Sequence, residues 1–484
     1  MLLTVTERWL WLPADRKSPA VKLEFYAGEV KTGEIDIRLA EGEAEWHAAT
    51  DLGAHLGETL RVEGAPEALL SRLRCRGERP AASAEGRPQL HFTAETGWIN
   101  DPNGLILSDG VWHLYHQWNP YGTEWGNMHW GHAVSRDLVS WERRGTAMAP
   151  DASGTVFSGC AFRDERNDAG FGKDALLFFY TAAGGTSRWS EGQPFTQRLA
   201  VSTDGGETLI RRETVLGHIR GENRDPMVFR HEASGAYVMA LYLQENEFAL
   251  FRSADLRHWE ETQRFSAEGM WECPALFELT DGDTGMSRWV FWSAGGLYML
   301  GGFDGFRFTP ETPVLSAYDT PLPYAAQLFA GVPGRTVAVA WLRTGCDRGN
   351  FRGMMSVPAE LSLGLRGGEP RIRFRPAREI TDRFGGPAAC EGGPDGFRIL
   401  PDGRPVLLSI TASAPGTREI RVGETDIAVP CGSEPLLLLA DNGAVEYYGE
   451  GGFAYGAAEV SPDALSREIV LRDPDCAVLL RRFR

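Results

Sequence analysis

The stretch Ser135–Arg143, SRDLVSWER, recurs in altered form at two later points of the chain. The two copies are STDGGETLIRR at 202–212 and SADLRHWEE at 253–261. Each copy has a serine, then an acidic turn, then residues typical of a closing β-strand. A unit that repeats in this way, with short apolar strands between its copies, indicates the blades of a β-propeller.

Short apolar strands recur from about residue 89 to 365, and each is closed by Gly, Asp or Asn. Examples are VWHLYHQWN (111–119), ALLFFYTAAGG (175–185), AYVMALYLQ (236–244), RWVFWSAGG (288–296) and TVAVAWLRTG (336–345). Four-stranded units at a spacing of roughly 50 residues predict about five blades in this segment. Because the repeat is irregular, an array of β-sandwiches is the alternative architecture.

The flanking segments also predict β-structure. Alternating stretches such as VKLEFYAGEV favour a small N-terminal β-domain, followed by an Arg-, Pro- and Gly-rich linker at 74–88. Runs such as EPLLLLAD, separated by Pro-Asp-Gly and Asp-Asn-Gly turns, predict a C-terminal antiparallel sandwich. We therefore predict an all-β protein with domains at 1–88, 89–365 and 366–484.

Composition limits the classes of partner. The 484 residues carry a net charge of −17, which argues against nucleic acid because its binders have basic surfaces. The seven cysteines lack paired spacing, which predicts neither a disulfide framework nor a zinc site. The N-terminus does not resemble a signal peptide, and no apolar run is long enough to cross a membrane. We expect a cytoplasmic protein; a secreted protein with a removed leader is the alternative.

Three acidic residues stand where loops meet apolar runs. Asp101 lies in GWINDPNG (97–104), Asp225 follows Arg224 in ENRDPMVF, and Glu272 lies in GMWECPALF. By its Asn, Asp, Pro and Gly residues, GWINDPNG predicts a tight corner that holds its acid. The innermost strands of a propeller converge on the central axis, so acids from different blades can meet in one pocket.

Cleavage of a glycosidic bond needs such a set. One ionised carboxylate attacks the anomeric carbon, and one protonated acid delivers a proton to the leaving oxygen. Apolar neighbours would favour the protonated form of Glu272, amide donors would keep Asp101 ionised, and Arg224 would offset repulsion between the acids. Taken singly, each acid is more simply explained as a turn residue or a surface contact.

The ordered motifs together resemble glycoside hydrolase family 32, the family of invertases, inulinases and levanases. The motifs, all between about residues 89 and 365, are WINDPNG, HLYHQWNP, WGNMHWGHAVSRDLVSWE, VFSGCAF, RDPMVF, WECPALFEL, YAAQLF and FRGMMSVPAEL. The resemblance implies a five-bladed β-propeller followed by a C-terminal β-sandwich, and retaining chemistry without a metal or other cofactor. It leaves residues 1–88 unassigned.

The resemblance also implies a role for each matched position. Asp101 corresponds to the catalytic nucleophile, Glu272 to the general acid/base and Asp225 to the transition-state stabiliser. Arg224 would contact the substrate and steer the carboxylates. The other residues expected to line the fructose subsite are Asn100, Gln117, Trp125, Phe157, Ser158 and Trp341.

The activity implied is the exo-acting hydrolysis of terminal non-reducing β-fructofuranosides in sucrose, fructo-oligosaccharides, levan or inulin. A fructosyltransferase of the same family, forming oligosaccharides or difructose anhydrides, is one alternative. A catalytically silent fructan-binding protein is the other. The family usually carries an acidic residue near the position of Leu322, in AYDTPLPYAAQ, so contacts beyond the fructose are expected to differ here.

Residues 1–88 have three interpretations. The simplest is a structural β-domain packed on the propeller. The others are a sugar-binding module and a surface that forms a homodimer, for which Trp9, Trp11 and Trp46 are the candidate contacts.

Overall fold

The computed structural model describes residues 1–82, 86–345 and 349–484, and nearly all of their regular structure is β-strand. The helices in these ranges are the single α-turns Glu67–Leu70 and Arg378–Thr381 and the 3₁₀ turns Gly53–His55, Glu450–Gly452 and Ala464–Ser466. None of these helices is long and apolar enough to cross a membrane. The predicted all-β class is confirmed.

Five sheets of mainly antiparallel strands follow one another between residues 97 and 376 and form the blades of a propeller. The strands of blade I are Gly97–Ser108, Val111–Asn119, His129–Ser135 and Glu142–Met148. Those of blade II are Thr155–Asp164, Ala175–Ala183, Phe195–Ser202 and Ile210–Leu216. Those of blade III are Arg224–His231, Ala236–Gln244, Glu247–Ser253 and Glu260–Ser266.

Blades IV and V complete the ring. The strands of blade IV are Ala275–Thr280, Ser287–Trp292, Leu297–Phe303, Phe308–Pro310 and Leu315–Ser316. Those of blade V are Pro323–Leu328, Thr336–Leu342, Met354–Met355, Ala359–Arg366 and Glu369–Pro376. The strand Phe351–Arg352 then pairs in parallel with the start of blade I, so the two ends of the ring are joined by backbone hydrogen bonds. Blade V runs past residue 365, and the predicted division into domains stays a prediction.

Hydrogen bonds between the first strands of different blades surround the propeller axis. The side chain of Asn103 in blade I accepts a bond from the Gly159 amide of blade II, at 3.2 Å. Gln327 of blade V donates to the Gly159 carbonyl at 3.1 Å. The Val228 amide of blade III donates to the Cys160 sulfur of blade II at 3.1 Å. The first strands of blades I, II, III and V are therefore the inner ones, and Ala275 from the first strand of blade IV lines a cavity together with residues of those of blades II, III and V.

The repeated Ser-x-Asp stretch is the turn between the third and fourth strands of blades I, II and III. In each turn the serine hydroxyl donates to the carboxylate two residues later, and the carboxylate accepts backbone amides of the turn. The pairs are Ser135–Asp137, Ser202–Asp204 and Ser253–Asp255, at 3.0, 2.7 and 3.1 Å. Short polar side chains that bond to nearby backbone favour turns, which is why the repeat was visible in the sequence.

Two small sheets precede the propeller. The first contains Leu2–Thr4, Thr59–Glu63, Ala20–Ala27 and Val30–Arg38, and the second contains Trp46–Asp51, Trp9–Ala14 and Arg74–Arg76. Apolar residues of both sheets form one core, which also takes in Tyr121 from the propeller. The expected linker at 74–88 is therefore wrong at its start, because Arg74–Arg76 is a strand paired with Trp9–Trp11. Residues 83–85 of that stretch lie outside the described residues.

A sandwich of two antiparallel sheets ends the chain, as predicted. Its six-stranded sheet contains Ala388–Ala389, Cys476–Arg482, Val406–Ala412, Leu436–Asp441, Ala444–Gly449 and Ala454–Glu459. Its four-stranded sheet contains Phe397–Ile399, Ile469–Leu471, Gly416–Val422 and Thr425–Cys431. One apolar core includes residues of both sheets. Six of the seven cysteines lie in the described ranges and are free thiols, whereas Cys346 lies outside them.

A buried histidine connects the propeller side of the chain to this sandwich. The ring nitrogens Nδ1 and Nε2 of His91 each lie 3.0 Å from a carboxylate oxygen, of Asp441 and Glu446 respectively. The hydroxyls of Tyr448 and Tyr455 donate to Glu446 at 2.9 and 2.8 Å. Burial lowers the pKa of His91, but the two carboxylates outweigh burial and raise this pKa to about 9. The contact is therefore an ion pair network without access to water.

We expect His91→Gln to lower the free energy of unfolding by about 3–5 kcal/mol, because it leaves buried carboxylates without their cation. The raised pKa adds a pH signature, since His91 stabilises the fold fully below pH ~6.5 and loses this contribution as the pH rises through about 9. Urea unfolding between pH 6 and 9.5 measures both effects. The exposed His258→Gln is the control, and an unchanged pH slope in His91→Gln would contradict the account.

Candidate active site

The stretch GWINDPNG is part of a bulged strand. Gly97–Ser108 forms one 12-residue strand, and its pairing with Val111–Asn119 shifts register between Ile99 and Pro102. Proline has no amide hydrogen for the ladder, so a bulge is a position where a strand tolerates it. The predicted corner is therefore wrong: Asp101 is presented to the axis by an irregular inner strand of blade I.

The backbone at the other two acids adopts the left-handed region. Asp225, the second residue of the inner strand of blade III, has φ +63°. Glu272 and Cys273, just before the inner strand of blade IV, have φ +33° and +46°. Non-glycine residues pay of order 1–3 kcal/mol for such conformations, which concentrate at functional sites. The propeller thus holds both acids in conformations that their own preferences disfavour.

The three acids meet in one pocket around Cys273 and Arg224. The Cys273 amide donates to Asp225 Oδ2 at 3.1 Å, and its sulfur lies 3.5 Å from Asp225 Oδ2 and 3.7 Å from Asp101 Oδ2. Arg224 Nη2 donates to Glu272 Oε2 at 2.8 Å, and Arg224 Nε lies 3.6 Å from Asp225 Oδ2. The Arg224 guanidinium also lies over the Tyr242 ring, 4.6 Å from its centroid. One cation therefore contacts two of the acids directly.

Asp101 is held by two neighbouring donors. Ser158 Oγ donates to Asp101 Oδ2 at 2.6 Å, and Asn100 Nδ2 donates to Asp101 Oδ1 at 3.2 Å. Burial and the negative charge of Glu272 raise the pKa of Asp101 to about 6, against the lowering effect of these bonds. Burial also raises the pKa of Asp225, although Arg224 opposes this shift. Asp101 is therefore ionised at neutral pH but close to its titration range.

The setting of Glu272 differs from the expected apolar one. Besides the two bonds from Arg224, the Tyr324 hydroxyl donates to Glu272 Oε1 at 2.5 Å. The side chain of Glu272 is 22% exposed, so water also reaches it. The expectation is wrong because the charged partner comes from blade III and the hydroxyl from blade V. The carboxyl group of Glu272 thus has a guanidinium and a hydroxyl as neighbours where apolar side chains were expected.

All ten predicted site residues line one cavity of about 370 Å³. They are Asn100, Asp101, Gln117, Trp125, Phe157, Ser158, Arg224, Asp225, Glu272 and Trp341. Four further lining residues were not predicted: Thr186, Phe195, Glu222 and Tyr324. Tyr324 begins the motif YAAQLF and Glu222 begins the stretch ENRDPMVF, so both could have been singled out there, whereas Thr186 and Phe195 lie in no quoted motif.

Aromatic rings form one wall of the cavity. Trp125 is 56% exposed and stands edge-on to Phe157, with 6.0 Å between ring centroids. Phe157 in turn contacts Phe195, which was not predicted, with 5.7 Å between ring centroids. On another side of the cavity, the ring centroids of Trp341 and Trp98 lie 5.5 Å apart. Aromatic faces beside carboxylates suit a sugar, which has both apolar C–H faces and hydroxyl groups.

Solved structures show the class of fold. The chain superposes on the exo-inulinase from Aspergillus awamori with a TM-score of 0.73 and 24% identity, covering 83% of this chain and 99% of that one. With fructan 1-exohydrolase IIa from Cichorium intybus the TM-score is 0.68 at 17% identity, covering 82% and 97%. The propeller followed by a β-sandwich is thus an architecture shared with known proteins.

The family follows from the sequence of the propeller. Residues 91–374 match the family model described as the N-terminal domain of glycosyl hydrolases family 32. The chain belongs to this family.

Several curated relatives match the same region. A levanase from Bacillus subtilis is 34% identical over 327 residues, which cover 61% of this chain and 47% of the levanase. An extracellular exo-inulinase from Aspergillus niger is 31% identical over 334 residues, which cover 57% and 62%. An invertase from Debaryomyces hansenii is 33% identical over 287 residues, which cover 54% and 52%. The match thus spans about half to three fifths of the length of these relatives.

We expect Arg224→Met to destabilise the protein by about 3–5 kcal/mol, because the buried carboxylates then lack their cation. The loss should grow as the pH rises from 5 to 8, since unpaired buried carboxylates oppose folding more when they ionise. Thermal unfolding across this range measures the effect. Arg220→Met is the matched control, because Arg220 pairs with Glu247 at the surface; equal losses in both variants would contradict the prediction.

Proposed function

We propose that the protein is an exo-acting β-fructofuranosidase that hydrolyses terminal non-reducing β-D-fructofuranosides of sucrose, fructo-oligosaccharides or fructans with retention of configuration. The observation that carries this proposal is the meeting of Asp101, Asp225 and Glu272 in one cavity lined by aromatic rings. The activities for which the relatives are named, levanase, exo-inulinase and invertase, support fructosides as the substrate class.

In the first step an oxygen of the Asp101 carboxylate attacks the anomeric C2 of the terminal fructose. The bond between C2 and the leaving oxygen breaks, and Glu272 transfers its proton to that oxygen. The bonds from Ser158 and Asn100 orient the Asp101 carboxylate for this attack. Glu272 must take up a proton beforehand, and its 22% exposure gives it access to water for this purpose.

In the second step the ionised Glu272 removes a proton from a water molecule. The water oxygen attacks C2, and the bond between C2 and Asp101 breaks, which restores both carboxyl groups. Arg224 and Tyr324 donate to Glu272 as they would to this ionised form. Asp225, which accepts a hydrogen bond from the Cys273 amide, would accept hydrogen bonds from hydroxyl groups of the fructose and stabilise positive charge developing at C2.

We expect Asp101→Asn to lower kcat on sucrose by about three orders of magnitude or more, because the nucleophile is lost. Glu272→Gln should lose as much on sucrose. With β-fructosyl fluoride, whose leaving group needs no proton, the first step should keep most of its rate and give a burst of fluoride before the second step, which also needs Glu272, becomes limiting. Asp109→Asn, at an exposed turn of the same blade, is the matched control and should keep full activity.

Product analysis of the wild type at high sucrose completes this test. Release of free fructose and glucose supports hydrolysis. Fructosylated oligosaccharides or difructose anhydrides as the main products would overturn hydrolysis in favour of transfer. Wild-type turnover by Asp101→Asn would overturn the chemistry itself.

The pH dependence of kcat/KM should reflect the titration of Asp101. Since the nucleophile must be ionised, kcat/KM should fall as the pH decreases through about 6. Ser158→Ala removes a hydrogen bond that lowers the pKa of Asp101, so its acid limb should move to higher pH. Ser140→Ala, on the surface of blade I, should leave the limb in place. If the acid limb of kcat/KM lies at the same pH in Ser158→Ala as in the wild type, the titrating group is not Asp101.

A further inference from the structure

A second cavity of about 470 Å³ adjoins the pocket of the three acids. Trp125 and Thr186 line both cavities, so the second one forms a groove that leads outward from the pocket. The far wall of this groove belongs to the two sheets that precede the propeller, here called the N-terminal sheets. Its lining residues from that part of the chain include Ala20, Asp36, Arg38 and Trp46.

Direct contacts fix these sheets beside the pocket. The Asp36 amide donates to Asn127 Oδ1 at 2.8 Å, and Asn127 Nδ2 donates back to the Asp36 carbonyl at 2.8 Å. The Arg188 amide donates to Glu34 Oε1 at 3.0 Å, in the loop that follows Thr186. Tyr121, in the same loop as Trp125, is 4% exposed within the N-terminal core. Both loops that line the pocket and the groove are thus attached to the N-terminal sheets.

The charges along the groove are mixed. Arg38 lies 3.8 Å from Glu124, and Asp36 pairs with Lys22 at 2.8 Å. Three arginines, Arg16, Arg38 and Arg352, line the groove together with Asp36 and Glu124. The hydroxyl groups of a sugar can donate to the two carboxylates and accept from the arginines. The groove therefore offers both kinds of hydrogen-bond partner to a sugar chain that leaves the pocket.

Trp125 connects the groove to the reaction. More than half of its surface is exposed, which is unusual for a large aromatic side chain, and it stands where the two cavities meet. A ring in this place offers a flat apolar face to the sugar unit next to the cleaved bond. Units further along the chain would then lie against Ala20, Asp36 and Arg38.

We propose that the N-terminal sheets form the outer wall of the substrate site and bind the part of a β-fructan chain that lies beyond the cleaved bond. The proposal rests on the proposed function, because it extends the same site. Residues 1–82 then take part in substrate choice, and any preference of the protein for longer chains over sucrose depends on this wall. Of the three tryptophans expected to contact sugar, only Trp46 lines the groove; the Trp11 indole donates to the Glu78 carbonyl elsewhere.

Two variants test the wall. Arg38→Ala removes a donor, and Ala20→Trp narrows the groove at an exposed position that tolerates a larger side chain. We measure kcat/KM on sucrose, on inulin-type oligosaccharides of three to five units, on levan and on sucrose 6-phosphate. In both variants kcat/KM should fall by about tenfold on the longer chains and least on sucrose. For Arg38→Ala this loss corresponds to one lost hydrogen bond, and for Ala20→Trp it comes from the narrower groove. Arg61→Ala, on the N-terminal sheets outside the groove, is the matched control.

The outcomes separate this proposal from the function on which it rests. If the wild type cleaves none of these fructosides, the proposed function fails. If the wild type cleaves them and both variants match Arg61→Ala at every chain length, the function stands and the wall proposal is overturned. A loss confined to sucrose 6-phosphate would also overturn it, because the groove would then be a phosphate site.

Discussion

Holding three carboxyl groups close together around one guanidinium is the constraint on which the site depends. Like charges this close repel strongly in a low-dielectric pocket, and burial also raises the pKa values of Asp101 and Asp225. Arg224 offsets this by contacting Asp225 and Glu272 together. Asp101, without a direct cation, has its pKa raised to about 6. The cluster is therefore costly for stability, and it also brings the pKa of Asp101 close to neutral pH.

Such a cluster needs a rigid frame, and the ring of inner strands supplies it. Bonds such as those of Gly159 with Asn103 and Gln327 join inner strands across the axis. The buried side chains of five blades pack behind these strands, which lets Glu272 and Cys273 remain in the left-handed backbone region.

The N-terminal sheets extend this frame to the rim of the site. Their edge pairs with Asn127, beside the loop that carries Trp125. In the proposed function the propeller supplies the reacting groups, and in our further proposal the sheets supply the surface that a longer substrate meets.

Much of the fold could be predicted from the sequence, because strands and turns depend on residues that are close together in the chain. The strands 111–119 and 236–244 were predicted with the bounds that they have, and the Ser-x-Asp turns were visible because their hydrogen bonds span two residues. The ten site residues came from motifs, and the structure brings them together in one cavity. Only the tertiary structure decided that Asp101 sits on a bulged strand, that Arg224 and Tyr324 surround Glu272, and that the N-terminal sheets wall a groove. The reason is distance along the chain: the partners of Glu272 are 48 and 52 residues away, and no local pattern records which side chains the closed ring will bring into contact.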